Sequence, residues 1–403
     1  MKKHLLIIGG GFAGFWSAIS AIRQAREIQK SDDVEITLVN PDNQVSIRGK
    51  LNDPSLKDLR FGLDKYLKPL GVHQINGKTE IINPEKREVT VSTAQGTRNL
   101  NYDYLIMAAG ASLKVPDLPG IGHTFNVDSS DSVQKLEEHI IQLVEKDFHE
   151  EGASTFIVVG SEFTGLETAI SIEQKIRTLQ AYYPAKKWDL RIILVEGSDE
   201  VGSQFSKDCK EYIHDILASK NIEIITNAEP TIIGPASVLL SNGTRIAART
   251  VIWTKGLVAS SLTQFFNGPK DDLNRLTADQ FLKLPAYSNV IAAGNVAHTC
   301  NGNGHFSFMS YQYAQFEGRW AGHNAINDLF NLPMKEYVEP GFANCADLGE
   351  PQVCYVNKWE RGMREKRYRD QEKERHISTE TMYPWEDVED TVKASYPEIP
   401  HFK

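Results

Sequence analysis

The apolar positions of this chain fall into short dense runs, separated by longer stretches with helical spacing. "LLII" (5–8) is a continuous apolar run of the kind a fully buried strand needs, and it stops at three glycines. "FAGFWSAISAIRQAREI" (12–28) then repeats its apolar residues at three- and four-residue intervals, and "EITLVN" (35–40) returns to a strand pattern. Strand, turn, helix and strand make a βαβ unit. The order recurs at "TFIVVG" (155–160), a helical stretch through "ETAISIEQKIRTLQ" (167–180), and "LRIILVE" (190–196). Two such units predict an α/β fold with two Rossmann-like dinucleotide-binding domains.

The intervening pattern is shorter in period. Residues 80–110 read as a meander of short strands, and the Pro and Gly cluster at 116–122 reads as a linker. Residues 222–256 alternate similarly around the hairpin signal "SNGT" (241–244). "NVIAAGN" (289–295) is another buried strand, followed by a helix from about Met309 to Phe330. The expected domains are 1–120 with 280–335, an inserted 150–270, and a C-terminal extension over 336–403. Mixed charge over 358–375 predicts a solvated helix, followed by an acidic tail.

Composition narrows the function classes. A net charge of −9 weighs against nucleic-acid binding, which needs a basic face. The four cysteines have no CxxC spacing, so neither a redox dithiol nor a metal site is expected. The first apolar run is too short for a secretory leader, and no run reaches the ~20 residues of a membrane span. A cytoplasmic protein with no integral membrane segment is expected. The C-terminal segment is a candidate either to dock on a twin subunit in a homodimer or to cover the site of the first domain.

Gly9, Gly11 and Gly14 satisfy GxGxxG directly after a strand and directly before a helix. In that context the first glycine makes the turn, the second admits a diphosphate and the third allows helix–strand packing. Phe12 and Ala13 open the helix whose N-terminus faces the phosphates. Asn40 ends the second strand, where an acceptor for ribose hydroxyls belongs; its amide can accept, without a carboxylate's charge.

"IIGGGFAG", "YDYLIMAAG" (102–110), "VVGSEFTGLETA" (158–169), "VIWTKG" (251–256) and "NVIAAGNVA" (289–297) follow one another in an informative order. That series resembles the pyridine nucleotide–disulfide oxidoreductase superfamily of two-dinucleotide-domain flavoproteins, over roughly residues 1–335. The active-disulfide branch does not fit, since no CxxxxC lies near the first helix. "SYQYAQFEG" (310–318) instead is similar to the AQxAxQxG segment of type II NADH:quinone dehydrogenases, matching at Gln312, Ala314 and Gly318, with Phe316 in the second glutamine position. "CADLG…W-x-R" (345–361) looks like a soluble subgroup of these proteins. The resemblance implies FAD, hydride transfer from NAD(P)H, and a small-molecule electron acceptor or substrate.

It also implies site residues. Ala109, Gly110, Gly294 and Asn295 would contact FAD, and Gly160, Gly165 and Glu196 would serve the nicotinamide dinucleotide. Glu196 suits the 2′-hydroxyl of NADH and repels a 2′-phosphate. Glu167 reads either as an anchor or proton relay beside the flavin, or as a first-turn carboxylate complementing the helix dipole. Gln312, Phe316 and the loop 300–306 would line the flavin. His305 is a candidate proton donor, against the alternative of a solvated loop histidine. Cys300 reads as a small apolar residue.

One residue disturbs the second loop. Glu162 stands where its second glycine belongs, aiming a carboxylate at an incoming diphosphate. Lys255 is the expected partner that would close an ion pair over the pocket. Two functions follow: an NADH-dependent flavin oxidoreductase, or an FAD protein with a degenerate nicotinamide site. The latter would act as an oxidase, a monooxygenase or a non-catalytic partner.

Overall fold

The computed structural model describes residues 2–46, 60–146, 150–183, 189–203, 205–300, 305–338, 344–349, 352–356, 363–368, 384 and 386–398. β1 (Lys3–Ile8), α1 (Phe12–Glu27) and β2 (Val34–Asn40) form the first unit, followed by a ribbon of β3 (Gln44–Ser46) and β4 (Arg60–Gly62) and the short α2 (Leu63–Leu67). The meander is β5 (His73–Asn83), β6 (Glu88–Thr93) and β7 (Gly96–Asn101), leading to β8 (Tyr104–Met107), β9 (Ala111–Leu113) and α3 (Ser130–Lys146). The second unit is β10 (Thr155–Val159), α4 (Phe163–Tyr182) and β11 (Arg191–Val195), then α5 (Lys207–Ser219) and β12 (Ile222–Ile225). β13 (Pro230–Ile233), β14 (Ser237–Leu240) and β15 (Arg245–Ala247) make a small antiparallel sheet, before β16 (Thr250–Trp253) and β17 (Leu257–Ala259). β18 (Leu276–Ala278), β19 (Val290–Ala292), β20 (Ala297–Thr299) and α6 (Tyr311–Leu329) follow. The extension supplies β21 (Asn344–Asp347), β22 (Gln352–Val356), β23 (Met363–Tyr368) and α7 (Val388–Ala394).

Two sheets carry the units, the larger parallel from β19 to β5 and antiparallel from β5 to β7, the smaller parallel throughout. The larger sheet runs β19-β8-β1-β2-β5-β6-β7, so its strands come from both ends of the chain. The smaller runs β12-β11-β10-β16. In each, the first strand of the βαβ unit lies between its crossover partner and a strand from elsewhere. The order therefore reverses beside β1 and again beside β10, and such reversals open a crevice at the carboxyl ends of the strands.

α1 is buried almost all round because α6 covers the face that the sheet leaves. A Cβ on Gly318 would lie 2.4 Å from the Ala13 carbonyl oxygen, and one on Gly322 would lie 2.1 Å from that of Ser17. Small residues four apart on α6 thus let the two backbones touch. The buried core around this pair includes Phe15, Trp16 and Trp320.

Two expectations are corrected here. The charged segment was expected to be helical, but its described part is the strand β23, paired with β22; residues 369–383 lie outside the described residues. The stretch expected to be a linker is docked: Ile233 donates its N–H to the Pro119 carbonyl at 2.9 Å, and Gly120 abuts the Ile233 carbonyl. Among the described residues, no helix is long and apolar enough to cross a membrane, and no group of His, Cys, Asp and Glu side chains could hold a metal.

Candidate active site

The two glycine turns are built alike. Gly9 has φ +101° and Gly160 has φ +105°, a region that L side chains rarely adopt. The Gly9 N–H donates to the Val39 carbonyl at 2.8 Å, and the Gly160 N–H donates to that of Val195 at 2.9 Å. A Cβ on Gly14 would sit 1.8 Å from the Gly9 oxygen, and one on Gly165 would sit 1.9 Å from the Gly160 oxygen. The residue opening each helix also matches, with φ −69° and ψ −170° at Gly11 and φ −75° and ψ −176° at Glu162. These are ordinary extended angles, so Glu162 carries no backbone strain. A Cβ on Gly11 would meet nothing within 4 Å, which leaves an open cradle at the N-terminus of α1. At the second turn the exposed Glu162 side chain stands at the corresponding position and makes no capping hydrogen bond.

The residues ending the second strands hold these turns. Asn40 Oδ1 accepts from the Gly10 N–H at 2.7 Å, and its Nδ2 donates to the Asp42 carbonyl at 2.9 Å. The amide expected to meet a ribose thus already spans the turn. Glu196 does the same work: its Oε2 accepts from the Ser161 N–H (2.9 Å) and hydroxyl (2.7 Å), and its Oε1 accepts from the Ser198 N–H (3.0 Å). Burial pushes the Glu196 carboxyl up, but those donors and the nearby Lys255 outweigh it and hold it below its ordinary range. Glu196 is therefore an anion at neutral pH.

Lys255 corrects one expectation. Its ammonium pairs with Glu229 rather than with Glu162. Lys255 does flank the turn, since a Cβ on Gly160 would lie 3.2 Å from its Cβ. Between several acidic side chains it has bonded to the one that the β13 side of the pocket presents.

Around the first turn, three segments converge. A Cβ on Gly9 would press on the Ala108 oxygen at 2.3 Å, which brings Ala109 and Gly110 to the mouth. A Cβ on Gly294 would lie 2.7 Å from that of Ala13 and 3.4 Å from that of Ala314. Asn295 Oδ1 is buried with no hydrogen-bond partner among the described residues. An open cradle, a helix N-terminus and an orphaned acceptor suit a dinucleotide carrying phosphates and hydroxyls. The ring of Phe12 lies 5.7 Å from that of Tyr311, so the start of α6 belongs to the same neighbourhood. Gln312, beside Tyr311, is half-buried.

Other candidates lie elsewhere or are engaged. Phe316 is 4% exposed in the core beneath the Arg319 guanidinium, so it does not line an open face. Glu167 Oε1 accepts from the Asp347 N–H at 2.9 Å, which ties α4 to the extension. His305 is exposed, and residues 301–304 of its loop lie outside the described residues. Cys300 is a free, exposed thiol rather than a packed apolar residue.

Two groups here carry no motif in the sequence: His298, whose ring stacks on Phe306 at 3.9 Å, and Glu317, a buried carboxylate whose Oε2 accepts from the Gly294 N–H at 2.5 Å. Glu317 lies between the matched Ala314 and Gly318, three residues beyond one that faces Gly294, and that spacing was the available signal.

Residues 3–318 match the family described as pyridine nucleotide-disulphide oxidoreductase. The chain belongs to that family. It is accordingly an oxidoreductase, and the paired turns are this family's architecture in this chain. An NADH dehydrogenase-like protein of Mycobacterium tuberculosis is 31% identical over 94% of each chain. The type II NADH:quinone oxidoreductase of Haemophilus influenzae is 21% identical, covering 83% of this chain and 82% of that one. Among solved structures, NDH2 from Plasmodium falciparum in complex with NADH has a TM-score of 0.79 at 15% identity, with 98% of each chain covered.

Proposed function

We propose that this protein is an FAD-dependent oxidoreductase that takes hydride from NAD(P)H, NADH being favoured, and delivers electrons to a quinone or another small redox-active acceptor. The proposed domains are residues 1–120 with 280–335 for FAD, 150–270 for the nicotinamide dinucleotide, and 336–403 as an extension. The relatives named as NADH dehydrogenase-like and as type II NADH:quinone oxidoreductase support the reaction class. The observation that carries the reading is the second turn, whose backbone repeats the first to within a few degrees.

FAD, once bound, supplies the hydride acceptance and the onward electron transfer. The protein's own groups do the rest. The Gly9–Gly14 turn and the α1 N-terminus bind the FAD diphosphate, with Ala109, Gly110, Gly294, Asn295 and Ala314 closing round it. Gly160 and Gly165 shape the second cradle. Glu196, held ionised, accepts from ribose hydroxyls and repels a 2′-phosphate, which favours NADH. Gln312 and His305 are the proposed polar groups at the acceptor side.

Glu162 supports a second reading, an FAD protein that no longer admits the nicotinamide. Its carboxylate stands at the cradle, and Lys255 is occupied by Glu229. Stopped-flow mixing separates the two. Fast bleaching of the flavin by NADH is expected; an oxidised spectrum that persists in millimolar NADH and NADPH would overturn the first reading in favour of the second.

A further inference from the structure

Glu317 is 1% exposed, and a carboxylate at that depth is destabilising unless donors hold it. Its Oε2 accepts from the amide of Gly294, at 2.5 Å. Gly294 has φ +74° and is wedged between Ala13 of α1 and Ala314 of α6. Residues 294–296 form a single tight turn there, and the next side chain, Asn295, leaves its oxygen buried and without a partner among the described residues. A buried acceptor left unpaired is destabilising, and a hydroxyl donor from a bound molecule would satisfy it. The ribityl chain of FAD is such a polyhydroxyl donor.

We propose that Glu317 is a positioning residue of the flavin site. It pins the 294–296 turn from α6, so that the Asn295 oxygen faces the ribityl hydroxyls. In its ionised form it also places a buried negative charge beside a cofactor that gains negative charge on reduction. The inference rests on the assignment of FAD to the first turn.

The test uses the flavin-loaded protein and two readouts other than turnover: the rate of flavin release in mild denaturant, followed by fluorescence, and the flavin midpoint potential. Glu317→Gln keeps an acceptor for the Gly294 amide and removes the charge, so release should stay within about threefold of the parent while the potential rises. Glu317→Ala removes the pin, and release should accelerate by about tenfold or more. Should that variant not fold, Asn295→Asp serves. A second carboxylate one residue from the pinned amide is repelled by the first, so release should accelerate by about tenfold in the parent and return to within about threefold in the Glu317→Gln background. A potential unchanged in Glu317→Gln and a release rate unchanged in Glu317→Ala, or, if that variant does not fold, Asn295→Asp equally tolerated in both backgrounds, would overturn the role of Glu317. A colourless parent that shows no thermal shift with added FAD would overturn the FAD assignment instead.

Discussion

Gly11 and Glu162 open their helices with nearly the same dihedral angles, so the second turn differs from the first in a side chain and not in a backbone. A carboxylate ~5 Å from a phosphate charge costs about 3 kcal/mol at an effective dielectric near 20, before salt screening. Glu162→Gly should therefore tighten NADH binding by about tenfold or more, read from the NADH dependence of flavin bleaching, with the melting temperature essentially unchanged. An unchanged NADH dependence would show that the side chain swings clear. The position was legible in the sequence, because GxGxxG in one loop exposes the exception in the other. The ionic partner was not. Lys255 meets Glu229, 26 residues earlier, through the packing of a small antiparallel sheet on the strand ends, and no local spacing announces that choice. Asn40 is a similar case: the sequence shows its chemistry as an acceptor but not the Gly10 amide from which its oxygen also accepts.

At the scale of elements, the βαβ units and α6 were readable because their apolar periodicity is local and strong. β23 was not, since "MREKRY" has no apolar face and becomes a strand only by pairing with β22. The extension's first strand does something specific. Glu167 accepts from the Asp347 amide, Leu348 is fully buried among the side chains of α4 and its neighbours, and Gly349 seats against Gln174 and Ile170. Residues 167, 170 and 174 share one face of α4, so the segment lies along the helix that follows the second turn. Tyr313 of α6 belongs to the same apolar cluster. Leu348→Ala should destabilise the protein by about 2–4 kcal/mol and raise amide exchange over the first turns of α4. Denaturant titration and hydrogen exchange check both; unaltered exchange there would mean that the strand merely rests on the surface.

The whole molecule joins its ends across α1 and α6. Arg23 donates to His323 Nδ1 at 3.1 Å, Tyr396 lies under the same guanidinium at 4.8 Å, and Arg26 pairs with Glu389 of α7 at 2.9 Å. Burial, with Arg23 and Lys335 nearby, pushes His323 down to about 4 from 6.5. The unfolded chain therefore takes up this proton first as pH falls. The stability associated with a neutral His323 is complete above about pH 6.5 and is lost progressively toward pH 4. Unfolding free energy should be roughly 1–2 kcal/mol lower at pH 5 than at pH 7 on this account, with the slope flattened in His323→Gln. A variant with the parental slope would place the acid sensitivity elsewhere. None of this network is visible in sequence, because its members are some 300 residues apart. The likeness of the two turns has a further, historical meaning. Since Gly11 and Glu162 open their helices with nearly the same ordinary extended angles, side chains can be exchanged at 162 without backbone strain, and a lineage can alter the lining of its second cradle without rebuilding the fold.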